Sequence, residues 1–423
     1  MATSSDSFSA SNPTHRVAAL LDPGSFREVA QEARGSLTAG TGMVGGIAVA
    51  IAATDRDIAG GSFGVVESLA LSTLLQQSRA DGLPVILCLD SAGARLDEGL
   101  PALGAFRQLY RHFLDLRLAG VATLAVLGRD CFGGASMLAA ACGRRVYSAA
   151  SRLAMSGPAV IQALGGRQQL DAEDTQVVTA LMGGAARVRL QPTDRLCTDR
   201  SGDFRQAVLE WMAQRDAEPQ LDLRKQHNEL GTRLLERGMA PSPLSNAELA
   251  APAALLEVLP PGFQARTIDG VLIGRSTKNS PDTFFGLVSG EPVGALALWT
   301  LAGACLSAAD SNPGEAVMLL LDAPGQAPTL RDERVMLSHY VAHLALVLSH
   351  LRVRGHRVTL QVLGDAAGGI YVALAAPATR VVALPGANVQ MLPPAAMARV
   401  IGRHGERADV DDYLRAGVVD TII

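Results

Sequence analysis

Short apolar runs of strand length alternate along the chain with longer stretches whose apolar residues recur at helical spacing. Val44–Ala53, Pro84–Asp90 and Val121–Leu127 read as strands. An amphipathic helix over Val66–Ala80 and a second helix over about Leu103–Arg117 fall between them. A glycine-rich segment, Gly35–Asp55, follows an opening helix expected over Pro23–Arg34. Gly157-Pro158 suits a helix start, because proline is tolerated in the first turn. Residues 203–238 are helical and charged, and residues 239–262 are rich in Pro and Ala, as in a linker. The chain closes with a helix of Ala and Met residues after Met391 and a terminal helix near Asp411–Ala416. Strand, helix and strand in alternation predict an α/β architecture.

One stretch occurs twice. VATLAVLGRDCFGGASMLAAACGRRVY, from Val121, runs from a buried strand through a turn to a glycine pair and a small-residue helix. VTLQVLGDAAGGIYVALAAPATRVV, from Val358, does the same. Leu124–Gly128 matches Leu360–Gly364, Gly133-Gly134 matches Gly368-Gly369, and Arg145-Val146 matches Arg380-Val381. Upstream, PVILCLDSAGAR places Asp90 and Gly93 where AVMLLLDAPGQA places Asp322 and Gly325. The chain therefore reads as an internal duplication of a domain of roughly 200 residues. A glycine pair at a helix start lets backbone pack closely and leaves N–H groups to face an anion or a polarised carbonyl oxygen. That is the geometry of an oxyanion hole; the plainer alternative is that the glycines only let a helix pack on a sheet. Two copies imply two polarised oxygens, or two carbonyl-like ends of one substrate.

Length supports two domains, since 423 residues exceed what one core usually serves. The divisions expected are a disordered tail over 1–15, a first domain over 16–238, a linker over 239–262 and a second domain over 263–423. Aromatics make up only 4% of residues, so the core must be aliphatic and small. The net charge of -4 and the scattered arginines give no nucleic-acid footprint. No apolar run approaches the ~20 residues of a membrane span. The polar first twelve residues lack the apolar centre of a signal peptide, and a cytoplasmic location is expected. The five cysteines form no C-x-x-C pair, and no metal site is expected. Cys131, two residues before a glycine pair, is a candidate nucleophile without a histidine nearby in sequence. Cys88 and Cys142 are expected as buried fillers. His343 and His350 lie on one helical face, as a site pair or as surface histidines.

DSAGARLDEGLPALG, DCFGGASMLAAACG and MSGPAVIQALGG together resemble the carboxyltransferase family of acyl-CoA carboxylases, and within it the beta subunit of biotin-independent malonate decarboxylase. LLLDAPGQAPTLRDE and GDAAGGIYVALAAPATRVVALPGANVQMLPPAA resemble the gamma subunit of the same enzyme, so the order suggests a natural fusion. The resemblance implies two tandem crotonase-like domains of repeated β-β-α units forming a superhelix. It implies decarboxylation of a malonyl thioester, carried on acyl carrier protein or coenzyme A, to the acetyl thioester, with no biotin or other cofactor and no metal. By position, Gly93, Gly133 and Gly134 are the expected donors to the thioester oxygen, and Gly325, Gly368 and Gly369 those at the carboxylate end. Ala92, Ala94, Arg95, Ser156, Gly157, Pro158 and Gln326 are expected to bind substrate. It also implies a homodimer with each site between the N-terminal domain of one chain and the C-terminal domain of the other. The chain departs from the family at Ala92, where the first of two glycines usually stands, at Ala323, where threonine usually precedes Pro-Gly, and in the loop after Gln326. Two other readings stay open: a carboxyltransferase component of a biotin-dependent acyl-CoA carboxylase, with biotin on a partner, and an inactive scaffold subunit, for which Ala92 is the motive.

Overall fold

Two sheets with the same strand order organise the chain. In the first, β1 (Arg27–Glu28), β2 (Leu37–Val44) and β3 (Ile47–Thr54) are antiparallel. Parallel strands β4 (Val85–Ser91), β5 (Thr123–Phe132), β6 (Arg144–Ser148) and β8 (Arg195–Cys197) continue the sheet, and β7 (Arg152–Ala154) pairs with the far end of β5. In the second, β9 (Phe263–Ile268), β10 (Val271–Ser276) and β11 (Thr283–Leu287) are antiparallel. Parallel β12 (Ala316–Ala323), β13 (Arg357–Ala367), β14 (Arg380–Ala383) and β16 (Thr421–Ile422) follow, and β15 (Asn388–Gln390) pairs with the far end of β13. The duplication read from sequence is thus a duplication of topology, strand for strand. This computed structural model describes residues 6–29, 35–215, 221–242, 263–276, 283–310, 314–393, 396–397 and 408–423.

The helices follow the same plan. In the first half, α1 (Pro13–Leu20) precedes the sheet, and α2 (Val65–Asp81), α3 (Leu100–Leu118) and α4 (Gly133–Ala141) link β3 through β6. Beyond them lie α5 (Pro158–Gly165), α6 (Thr175–Met182), α7 (Gly184–Leu190), α8 (Ser201–Gln214) and α9 (Leu223–Glu236). In the second half α10 (Ala295–Ala308), α11 (Leu330–Glu333), α12 (Leu337–Val353) and α13 (Gly368–Ala375) link β11 through β14, and α14 (Val410–Arg415) precedes β16. Every residue of β4 is buried, as expected of a parallel strand covered on both faces. The alanines of α4 are buried too, so small side chains bring that helix close to the sheet.

The chain divides into two compact units that do not follow the halves of the sequence. The first comprises Met1–Glu98, Gln108–Leu221 and Thr329–Ser338; the second comprises Gly99–Arg107, Asp222–Pro328 and His339–Ile423. Arg107, on α3, belongs with the second unit, where it bonds the carbonyl oxygens of Ala375 and Gly417 and the carboxylate of Asp420 at 2.9 Å. A side chain at Gly104 would collide with the Ala416 carbonyl, so glycine lets α3 lie against that backbone.

Several expectations are corrected. Residues 6–15, expected as part of a disordered tail, are built into the first unit. Ser7 and Ser9 hydroxyls donate to Asp199, Phe8 is fully buried and stacks on Phe204 at 4.2 Å, and Asn12 caps α1. The helix expected over Pro23–Arg34 is replaced by a turn and β1, with residues 30–34 outside the described residues. Gly35–Asp55 is a two-strand hairpin. Helix α9, expected as a tail of the first domain, belongs to the second unit. Most of the expected linker, 243–262, and most of the Ala- and Met-rich helix after Met391 lie outside the described residues. No helix among the described residues is long and apolar enough to cross a membrane.

The expected histidine face is also different. His343 is fully buried. Its Nε2 meets His227 Nδ1 at 3.2 Å and its Nδ1 meets Gln226 Oε1 at 2.9 Å. His227 stacks on Trp299 at 4.7 Å, and the Trp299 indole N–H donates to the His227 carbonyl at 2.9 Å. Burial pushes His227 down to about 4 and His343 to about 3, reinforced by each ring's cationic or imidazole neighbour. The folded pair therefore stays neutral where free histidine, at 6.5, takes up protons. The pair's own contribution to stability falls as pH drops from 6.5 toward 4, because only the unfolded chain binds those protons. Thermal melts across this interval are expected to show that contribution as a difference in pH dependence between the natural chain and His343→Gln, the variant losing less stability toward pH 4.

Candidate functional site

The repeated Asp positions each turn. Asp90, near the end of β4, accepts the backbone N–H of Asp130 at 3.2 Å, and Asp322 accepts that of Asp365 at 3.0 Å. At the same place the register of β4 on β5 shifts between Leu89 and Ser91, and that of β12 on β13 between Leu321 and Ala323. A bulge there re-aims the strand that follows, and the carboxylate satisfies an N–H that the broken ladder leaves. Gly128 lies under Asp90, whose Cβ is 2.6 Å from where a side chain on Gly128 would begin, and Gly364 lies as tightly under the Asp322 carboxylate. In the first unit Asp90 and Asp130 share Arg56, Arg152 Nε donates to Asp130 at 2.6 Å, and Thr54 exchanges hydrogen bonds with the Asp90 backbone.

The redirected strands end at the glycines. Gly133 and Gly368 have φ of 53° and 54°, and Gly93 and Gly325 have 111° and 129°, a region that side chains disfavour. The turns after β4 and β12 are tied identically. Phe63 N–H donates to Gly93 O at 2.8 Å and Arg95 N–H to Phe63 O at 2.9 Å, matched by Val293 with Gly325 and Ala327 with Val293, both at 2.9 Å. A side chain on Gly93 would start 3.3 Å from the Gly133 Cα; one on Gly325 would start 3.4 Å from the Ala367 carbonyl. Each turn is thus brought against the start of α4 or α13, as the shared order of motifs implied.

Their N–H groups are not equally free. Gly93 N–H donates to Ser91 Oγ at 3.1 Å, and Gly133 N–H to the Met155 carbonyl at 3.2 Å. Gly134 and Gly369 are second residues of α4 and α13, where an N–H has no intrahelical acceptor and the helix dipole favours negative charge. An oxygen acquiring charge at either helix start would meet these donors.

The other candidates divide sharply. Arg95 is spent: its guanidinium bonds Glu67 at 2.7 Å, Glu98 at 3.1 Å and the Ser62 carbonyl at 2.8 Å. Ala94 bridges to Phe63, and Ala92 is exposed with its N–H on Gly60 O. Gly157 caps α5 and Pro158 opens it, as read from sequence. Ser156 is buried, and its Oγ has no hydrogen-bond partner. Gln326 Oε1 is likewise unpartnered, 3.2 Å from where a side chain on Gly368 would begin. Cys131 is buried, and burial, with Asp90 next, raises its thiol well above the ordinary range, which rules it out as a thiolate nucleophile. Among the described residues no group of three or more His, Cys, Asp or Glu is placed to hold a metal ion.

Sequence reading missed Glu333 and Arg187, both fully buried in the first unit. Glu333 Oε1 accepts Ser156 N–H at 2.7 Å, and Arg187 Nη2 lies 3.6 Å from Glu333 Oε2. Burial pushes Glu333 up to about 7, against the opposing pull of Arg187. Nothing local marks Glu333: in the charged run Arg331-Asp-Glu-Arg334 it looks like any solvated acid.

Residues 12–191 match the family model described as a carboxyl transferase domain, and residues 288–412 match that described as malonate decarboxylase gamma subunit. The chain thus carries a segment similar to a carboxyl transferase domain, followed by a segment similar to a malonate decarboxylase gamma subunit. Its relatives include the methylmalonyl-CoA carboxyltransferase 12S subunit of Propionibacterium freudenreichii subsp. shermanii, 26% identical over 95% of this chain and 79% of that one. Malonyl-S-ACP:biotin-protein carboxyltransferase MADC of Malonomonas rubra is 25% identical over 41% of this chain and 59% of that one. Among solved structures, a Pseudomonas malonate decarboxylase hetero-tetramer in complex with malonate aligns with a TM-score of 0.46 and 27% identity, covering 49% of this chain and 84% of that one. Both glycine turns thus fall inside matched segments. Gly133→Ala and Gly368→Ala should each cost about 1–2 kcal/mol, the strain of a left-handed side-chain residue, and denaturant titration of the two single variants and the double checks it.

Proposed function

We propose that this chain decarboxylates a malonyl thioester, on acyl carrier protein or coenzyme A, to the acetyl thioester and CO₂ without biotin. The observation that carries the reading is the twice-built glycine turn at a helix start, within segments matching a carboxyl transferase domain and a malonate decarboxylase gamma subunit. Breaking the C–C bond leaves an enolate whose charge sits on the thioester oxygen. Fixed backbone donors lower that barrier, because they need no reorganisation as charge develops. In this reading Gly134 N–H meets the thioester oxygen, with Gly93 and Gly133 giving the backbone its course. Gly369, with Gly325 and Gly368, serves the carboxylate that leaves as CO₂. Ser156 and Gln326, with their unpartnered polar atoms, are the side chains that contact substrate.

A second reading is favoured by two relatives that are named as carboxyltransferases: carboxyl transfer to or from biotin on a partner. The same enolate forms in both cases, so the glycine turns do not distinguish them.

Mass spectrometry of malonyl-carrier protein and malonyl-CoA incubated with the purified chain, with no biotin added, separates the readings. Loss of the mass of CO₂ from either thioester is the expected result and names the carrier. No loss, with carboxyl transfer to free biotin in a parallel reaction, replaces the proposal by the second reading. Gly134→Val keeps the N–H but sets bulk against the oxygen it would meet, and should lower kcat by about 10²–10³, the loss when one such donor is out of reach, with an unchanged melting temperature. Residues 1–245 alone should be inactive, since they lack Gly325, Gly368, Gly369 and Glu333.

A further inference from the structure

A chain of contacts in the first unit runs from Glu333 to the glycine turn. Glu333 Oε1 accepts Ser156 N–H at 2.7 Å, across 177 positions of sequence. Arg187 holds the same turn from its other side. Its Nε donates to the Leu153 carbonyl at 2.9 Å, and its Nη1 to the Glu333 carbonyl at 2.8 Å. Between those anchors, the Met155 carbonyl accepts Gly133 N–H at 3.2 Å. Gly133 is the residue that sets the course of α4 into Gly134. A side chain on Gly157, the next residue of the turn, would start 3.2 Å from the Phe132 ring, just before the glycine pair.

A fully buried carboxyl is a costly way to fill space, since an apolar residue of similar volume does so without desolvating a charge. Glu333 also pairs electrostatically with the buried Arg187, whose Nη2 lies 3.6 Å from Oε2, while the other Arg187 donors reach the Leu153 and Glu333 main-chain oxygens. Its Oε2 has no hydrogen-bond partner. What the Glu333 side chain does supply is an acceptor for Ser156. The groups bearing on it are Arg187, the Ser156 and Met155 main chain and Asp332.

We propose that Glu333 is a positioning residue for the first glycine site: by holding Ser156 N–H it fixes the Met155–Gly157 turn, and through the Met155 carbonyl it fixes Gly133 and the aim of Gly134 N–H. Glu333 acts through two main-chain hydrogen bonds and touches no substrate. The kinetic readout of this role rests on the decarboxylase reading; the backbone readout does not.

The test uses the full chain with Glu333→Gln and Glu333→Ala at pH 6, where a carboxyl pushed up to about 7 is mostly neutral and glutamine is its near isostere. Two quantities are measured: kcat and KM for malonyl-CoA or malonyl-carrier protein, and amide hydrogen exchange in peptides spanning 130–137 and 153–160. Glutamine keeps an acceptor for Ser156, so kcat stays within about threefold of the natural chain and exchange is unchanged. Alanine removes the acceptor, so kcat falls by about tenfold or more while KM moves little, the mark of a contact that matters in the transition state. Exchange then rises in those two peptides and not across the rest of the unit. Unchanged kcat and exchange in Glu333→Ala would overturn the proposal. So would a rise spread evenly over the unit, which is plain loss of stability, or equal damage from glutamine and alanine. If the natural chain turns over neither thioester, the functional reading fails, and exchange in the two peptides alone then decides the positioning role.

Discussion

One hydrogen bond, made twice, sets the architecture of both units. An aspartate near the end of a central strand accepts a backbone N–H from the neighbouring strand where their ladder breaks, Asp90 from Asp130 and Asp322 from Asp365. In the first copy, without that acceptor the displaced N–H would be buried and unpaired, at a cost of a few kcal/mol; in the second, Asp365 is exposed and the bond fixes the course of the strand. With it, the strand can leave the ladder, turn at a glycine and start a helix. The aspartate, the glycine beneath it and the left-handed glycine ahead of the helix form one device. Changing any one of them moves the others.

The two copies differ in how firmly the device is held. Around Asp90 and Asp130 stand Arg56 and Arg152, with Thr54 on the main chain. Around Asp365 the described partner is the amide of Asn388, and Asp322 is raised by burial with the Asp365 charge adding to it. In the first copy arginines face the paired carboxylates, whereas in the second the partners among the described residues are a backbone N–H and a side-chain amide.

Much of the fold was legible because it repeats. A single glycine pair says little, but Asp90 with Gly93 and Gly133, echoed by Asp322 with Gly325 and Gly368, forecast the matching strand order. Parallel strands such as β4 were legible because burial on both faces leaves a continuous apolar run. What escaped were features decided by distant partners. Phe8 and Ser7 lie in a polar stretch that looks unstructured until Phe204 and Asp199 arrive from about two hundred residues away. Arg95 looked available for substrate, but its partners Glu67 and Ser62 carry no local sign of the pairing. Glu333 and His343 were misjudged or missed for the same reason: charge predicts exposure only when no partner is built for it.

The division of the chain into units has a consequence for its synthesis. The first unit includes Thr329–Ser338, although its remaining residues end at Leu221. A nascent chain therefore makes most of that unit and then waits for roughly a hundred further residues, several seconds at ~5–20 residues per second. Until then Arg187 and the Ser156 turn lack Glu333, and the glycine site stands without its anchor. The unit made first is finished late, so the interval between the two is when this protein depends most on being shielded from its neighbours in the cell.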